Sequence, residues 1–132
     1  DGSVNALLML ELLLQLNMKP SVLVQTIFKE FGTSHYERCD IHLARSINPE
    51  AFKEAAFSEL IPMLDTKGFG LDHKVTIDGL KVFFSNGSWL LLRPSGTEPL
   101  VRVYAETPSQ KLTKELIALA SKWVMEQLGN KT

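Results

Sequence analysis

The sequence predicts an α+β domain: an antiparallel sheet of about four to five strands covered by two helices and preceded by two further helices. Three observations carry this. Apolar residues recur at helical spacing at both ends of the chain and again between Asn48 and Pro62. From Tyr36 the hydrophobic period drops to two, the period of a strand with one buried face. The dipeptides Asp78-Gly79 and Asn86-Gly87 separate short apolar runs, as hairpin turns do.

The stretch Val4 to Leu16, VNALLMLELLLQL, is apolar nearly all round a helix, which suits a helix enclosed by protein on most sides. It falls short of the ~20 residues a membrane span requires, and Asn5, Glu11 and Gln15 interrupt it. A second helix begins at Pro20, a favoured first-turn residue, carries Leu23, Ile27 and Phe28 on one face, and stops before Gly32. A domain boundary is expected near Gly32 to His35, dividing the chain into 1–32 and 33–132. In the strand that follows, Cys39, Ile41 and Leu43 share one face, with Arg38, Asp40 and His42 on the other. Asn48-Pro49 starts a helix with an inward stripe of Phe52, Ala56 and Leu60, which Pro62 is expected to end.

After the turn-rich Thr66 to Gly70, a strand with Val75 and Ile77 on one side leads to Asp78-Gly79. Leu80 to Ser85 returns beside it, Asn86-Gly87 turns the chain again, and Ser88 to Arg93 forms the next strand. Beyond a loop, Leu100 to Glu106 forms another, with Val101, Val103 and Ala105 opposite Arg102 and Tyr104. Thr107, Pro108 and Gln110 read as cap, first-turn proline and capping-box partner of a last helix. Its stripe is Leu112, Leu116, Leu119, Ala120, Trp123 and Leu128.

The 132 residues, 45% hydrophobic and 22% charged, have the make-up of an ordinary globular domain with a real core. A net charge of -1 provides no whole-molecule positive field, so nucleic acid is not an expected partner, and no membrane association is expected either. A lone Cys39 forms no internal disulfide, and Asp1-Gly2 is not the basic start of a signal peptide; a cytoplasmic location is the expectation. The missing initiator Met and abrupt apolar start suggest a piece of a larger protein.

The segment densest in chemistry is Arg93-Pro94-Ser95-Gly96-Thr97-Glu98-Pro99, followed by Arg102. It gathers a guanidinium fork, two hydroxyls and backbone amides that Gly96 leaves unobstructed, the ingredients of an anion cradle. Arginine suits phosphate because its planar fork pairs with two oxygens at once. If the flanking strands form a hairpin, Arg93 and Arg102 emerge near the two stems of the loop and both reach one phosphate. The same spacing also suits a plain turn shaped by Pro94, Gly96 and Pro99, with Glu98 pairing an arginine and Ser95 and Thr97 bonding the backbone.

The run GSWLLLRPSGTEPLVRVYAE, Gly87 to Glu106, closely resembles the phosphate-binding region of the α-D-phosphohexomutases, which include phosphoglucomutases, phosphomannomutases and phosphoglucosamine mutases. The opening DGSVNALLMLELL is similar to the last long helix of that family's third domain, and HYERCDIHL to the entry to its fourth, whose fold is TATA-box-binding-protein-like. The resemblance implies that Arg93, Ser95, Gly96 and Thr97 hold a substrate phosphate with Arg102 in support, while Glu98 orders the loop. It further implies a complete enzyme in which a phosphoserine exchanges phosphoryl groups with a hexose phosphate while this loop grips the phosphate that is not reacting. The phosphoserine loop, the aspartate-rich loop that binds Mg2+ and the sugar-reading loop would lie in upstream domains of the same polypeptide. Neither a catalytic residue nor a metal ligand is expected in this chain, which should be inactive alone. A phosphoglucosamine mutase domain, a stand-alone phosphosugar-binding module and a scaffold domain whose loop is only a turn are the alternatives.

Other residues have plainer readings. Ser3 sits at a helix start without base or metal ligands, and His35, His42 and His73 lack the compact spacing of a metal site. Cys39 is expected to pack in the core, as are Trp89 and Trp123, and Asp65, Asp72 and Asp78 are expected to serve turns.

Overall fold

The computed structural model describes residues 1–129, which divide into two compact units, the second beginning at Ser34. The first unit holds α1 (Gly2–Leu16) and α2 (Pro20–Phe31). The Asp1 carboxylate caps α1 by accepting the Ser3 N–H, and Asn17 closes the helix in the left-handed region at φ 49°. Neither helix buries a residue; Leu7, Leu8, Leu10, Leu14 and Phe31 are exposed. Among the described residues no single helix is long and apolar enough to cross a membrane, and α1 and α2 meet at an 85° bend.

The second unit runs β1 (His35–His42), α3 (Pro49–Ala55), a π turn (Ala56–Leu60), α4 (Ile61–Thr66), β2 (Leu71–Val75), β3 (Leu80–Phe84), β4 (Trp89–Pro94), β5 (Leu100–Thr107) and α5 (Gln110–Gly129). The strands form one antiparallel sheet in the order β1-β5-β4-β3-β2. The α+β expectation therefore holds. Ile41, Val82, Leu90, Leu92, Val101, Val103 and Ala105 turn one face of the sheet toward Phe52, Leu60, Leu64, Leu116, Ala120 and Trp123 of the helices. Ile117 and Val124 join the core beside the stripe read from sequence, so the buried arc of α5 is wider than that stripe. Cys39 packs against this core as expected.

Three boundaries differ from the sequence reading. Pro62 does not end its helix. The Ile61 N–H bonds the Ala56 carbonyl, five residues back, and the π turn so formed places Pro62 in the first turn of a new α segment, where its missing N–H costs nothing. Ile77 is not in a strand: pairing of β2 with β3 ends at Val75 opposite Lys81, leaving Ile77 in the connecting loop at 94% exposure. The last helix starts at Gln110, after Thr107, which ends β5 and accepts the Ser109 N–H on its hydroxyl. The expected hairpin after β3 is present, though only Gly87 adopts positive φ (80°); Asn86 instead accepts the Ser88 N–H on its side chain.

Polar contacts staple the layers. The buried Thr113 hydroxyl of α5 lies 2.8 Å from the His35 carbonyl of β1 and 2.9 Å from the Thr107 hydroxyl of β5. With Thr107 donating to Thr113, the Thr113 proton goes to His35, joining the β5–α5 junction to the distant strand β1. At the other end of α5, the Glu59 carboxylate of the π turn accepts from Trp123 Nε1 (3.3 Å) and Gln127 Nε2 (2.7 Å). Thr113→Val keeps the shape of Thr113 but leaves the His35 carbonyl without its donor. Chemical denaturation should show a loss of about 1–3 kcal/mol.

Candidate functional site

Register is what assembles the site. In the β4·β5 ladder Arg93 stands directly opposite Arg102, and in the β1·β5 ladder Arg102 stands opposite Asp40. Directly opposed residues share a face. The neighbours Leu92 and Val103, and Val101, point into the core, so Arg93 and Arg102 emerge on the open face. At the far side of Arg93 the loop between β2 and β3 contributes Asp78, completing a row Asp40, Arg102, Arg93, Asp78 across the sheet.

Like charges set opposite one another on a sheet repel. The two central arginines are relieved unequally. Asp78 accepts from Arg93 Nε at 3.1 Å and lies 3.0 Å from Nη2, a two-point pair. Both side chains are well exposed, 43% and 69%, so the pair contributes no more than ~1 kcal/mol. Arg102 meets Glu98 at 4.0 Å and feels the Asp40 carboxylate across the strand pair. Asp40 is already taken by Arg38 of its own strand, with contacts of 2.6 Å from Nε and 2.5 Å from Nη2.

The loop between β4 and β5 is closed by Ser95 N–H donating to the Leu100 carbonyl (2.8 Å) and Leu100 N–H to the Glu98 carbonyl (2.8 Å). Leu43 N–H donates to the Pro99 carbonyl (2.8 Å), tying the exit of β1 to the loop. The Ser95 hydroxyl accepts weakly from the amides of Thr97 (3.5 Å) and Glu98 (3.3 Å). Those amides turn inward toward Ser95, so the backbone of the loop folds on its own hydroxyl. Gly96 is exposed, and a Cβ placed there would meet nothing within 4 Å. Neither packing nor an unusual φ requires this glycine; what its bare backbone leaves open is the space outside the loop.

The structure thus brings Arg93 and Arg102 together at the root of the loop, with Ser95, Gly96 and Thr97 at its rim. Glu98 leans on Arg102, as the plain-turn reading also has it. The sequence reading gives Asp78 to a turn and Asp40 to the outward face of its strand, without placing either beside the arginines. The strand alternation places Asp40 on the right face, and Asp78-Gly79, one strand over from Arg93, was the available signal for the other. Trp89 corrects its expectation: Leu90 and Leu92 take the inward positions of β4, so Trp89 lies on the open face, with the Lys81 ammonium 4.0 Å from its ring centroid and Tyr36 6.3 Å away. Trp123 is in the core as expected. Asp65 serves a turn by accepting the Leu71 N–H, and His73 stacks on Phe83. Among the described residues no three His, Cys, Asp or Glu side chains converge as a metal site.

Residues 43–120 match the family model described as phosphoglucomutase/phosphomannomutase, C-terminal domain. A phosphopentomutase of Thermococcus kodakarensis is 33% identical over 94 residues, 71% of this chain and 20% of that protein. A phosphoglucomutase/phosphomannomutase of the same organism is 34% identical over 79 residues, 60% of this chain and 16% of that protein. A phosphoglucosamine mutase of Methanocaldococcus jannaschii is 47% identical over 54 residues, 41% of this chain and 12% of that protein. The chain spans a fifth or less of the length of these relatives.

The charge row has a measurable signature at Asp40. The hydrogen bond from Arg38 holds its carboxyl below the ordinary aspartate range; desolvation opposes this, and the charges of Arg38 and Arg102 add lesser attractions. A depressed carboxylate stabilises the fold above its unfolded value, and this contribution is lost as pH falls through the folded value. Carbon-detected titration of Asp40 should give a midpoint below about 3.9, and Arg38→Ala should raise it.

Proposed function

The chain belongs to the phosphoglucomutase/phosphomannomutase family as its C-terminal domain, and from that premise we propose that the loop from Arg93 to Pro99 is the phosphate anchor of a sugar-phosphate mutase. The observation that carries this is the direct pairing of Arg93 with Arg102 on the open face of the sheet. Two cations held side by side by backbone pairing, at the root of a loop with two hydroxyls and an unobstructed glycine, favour a doubly charged oxyanion that relieves their repulsion. Arg93 contributes a planar fork, Arg102 a second cation, and Ser95 and Thr97 short donors. The Thr97 and Glu98 amides, held only weakly by Ser95, are available to exchange that partner for a phosphate oxygen.

In the complete enzyme this domain holds the phosphate that is not reacting, while upstream domains of the same polypeptide supply the phosphoserine and the magnesium site. Nothing among the described residues forms a ligand set for magnesium, so no step here runs through it. The chemistry assigned to this chain is binding and orientation, which supply much of the catalysis in phosphoryl transfer. A hexose phosphate, of glucose or mannose, is the proposed substrate. The names of the relatives differ in the sugar, and a hexosamine phosphate is supported equally by the phosphoglucosamine mutases among them. A loop that reads the phosphate serves each of these sugars alike.

Inorganic phosphate titrated into the chain should move the amide resonances of 93–102 and leave those of α5 in place. Arg93→Ala should weaken this binding by about tenfold or more, the worth of a charge-assisted hydrogen bond. Arg93→Lys should recover part, because charge survives while the fork is lost. Pure chain should not interconvert glucose 1-phosphate and glucose 6-phosphate. Phosphate-induced shifts confined to other regions, or turnover by the chain alone, would remove the assignment.

A further inference from the structure

The loop between β2 and β3 lies 15 residues before Arg93 in sequence yet reaches its side chain. Gly79 makes this possible. It adopts φ 99°, and a Cβ there would collide with the Leu92 carbonyl oxygen and stand 3.1 Å from the Arg93 Cα. Only a residue without a side chain lets the turn rest on the backbone of β4 at the residue that bears the guanidinium. The preceding residue, Asp78, then meets Arg93 side-on, taking Nε and Nη2 and leaving the other edge of the fork unengaged among the described residues.

We propose that Asp78 is a positioning residue for phosphate capture: seated by Gly79, it fixes the guanidinium plane of Arg93 so that the Nη1 edge is presented to a phosphate dianion beside Arg102. The inference rests on the phosphate-anchor reading of the loop and adds a residue outside it. A carboxylate beside an anion site also repels the anion, so two effects oppose. The repulsion acts between exposed groups in water, whose high dielectric keeps it weak at this separation. The ordering of a long side chain is not screened, and its loss is felt each time phosphate must arrest a free rotor. The side-on geometry decides between them as well: Asp78 and a phosphate occupy different edges of one guanidinium and have no need to displace each other.

The test uses the whole chain, inorganic phosphate and an ionic strength of about 0.15 M, where exposed charges are screened beyond ~8 Å. The wild-type titration comes first; if 93–102 do not respond, the anchor reading falls and this proposal with it. With wild-type binding intact, Asp78→Ala should weaken phosphate binding by about three- to tenfold, the cost of one rotamer-rich side chain left unordered. Asp78→Asn, which retains an oxygen acceptor, should fall between the two. Without phosphate, the Arg93 Nε–H resonance should be resolved in wild type and collapse to the position of a free guanidinium in Asp78→Ala. Phosphate binding by Asp78→Ala that equals or exceeds wild type, or an Arg93 Nε–H signal that does not move, would overturn the role of Asp78 while leaving the anchor reading standing.

Discussion

The pairing of β4 with β5 is the constraint on which the rest of this domain depends. Leu90, Leu92, Val101, Val103 and Ala105 are all fully buried, and they alternate with outward residues along the two strands. A slip of one residue would turn these side chains to water. Burying a single valine or leucine stabilises a fold by about 1.5–3 kcal/mol, whereas an opposed like-charged pair on a sheet costs less than ~1 kcal/mol. The core therefore dictates that Arg93 and Arg102 stand together, and the electrostatic cost is carried by whatever negative groups come near. The crowding of like charge on the open face is thus fixed by packing on the opposite side of the same sheet.

The remainder of the open face shows how such a surface meets water. Lys81 lies over Trp89 and within reach of Phe83, and Arg38 lies over Tyr104. These long side chains cover aromatic rings with their stems while their charged heads remain in water. Basic residues on this face therefore have two distinct employments. Arg38 and Lys81 are spent on aromatic neighbours and, for Arg38, on Asp40. Arg93 and Arg102, at the row nearest the loop, are met by carboxylates instead, Asp78 and Glu98.

Periodicity makes the sheet legible in the sequence. The alternation in β1 and β5, the two glycine turns and the capping Asn48-Pro49 all translate directly into backbone. The arginine-bearing loop is legible as well, since its residue types are chemically unusual together. What sequence conceals is long-range. Ile77 looks like a strand residue until one knows that Gly79 must rest against β4, which takes the end of the strand for the turn. Trp89 looks like core because large aromatics usually are, and only the burial of Leu90 and Leu92 decides its face. Asp78 looks like a turn residue because that is what its neighbours predict locally; its partner appears only when the hairpins are aligned. Propensity speaks about neighbours in the chain, and each of these outcomes is decided by neighbours in space.

The π turn at Ala56–Leu60 bears on how this gene can change. It holds one residue more than the α-helical turn it replaces. Deleting a residue there would restore an unbroken α-helical ladder through Ile61 and Leu64, with Pro62 now inside it. Pro62, which has no N–H to offer a regular ladder, already suits the irregular form and would interrupt the regular one. An insertion or deletion in this helix is therefore not a neutral length polymorphism. Pro62 ties the segment to its irregular turn, so descendants of this sequence should vary in length in the neighbouring loops and hold the count between Asn48 and Thr66 constant.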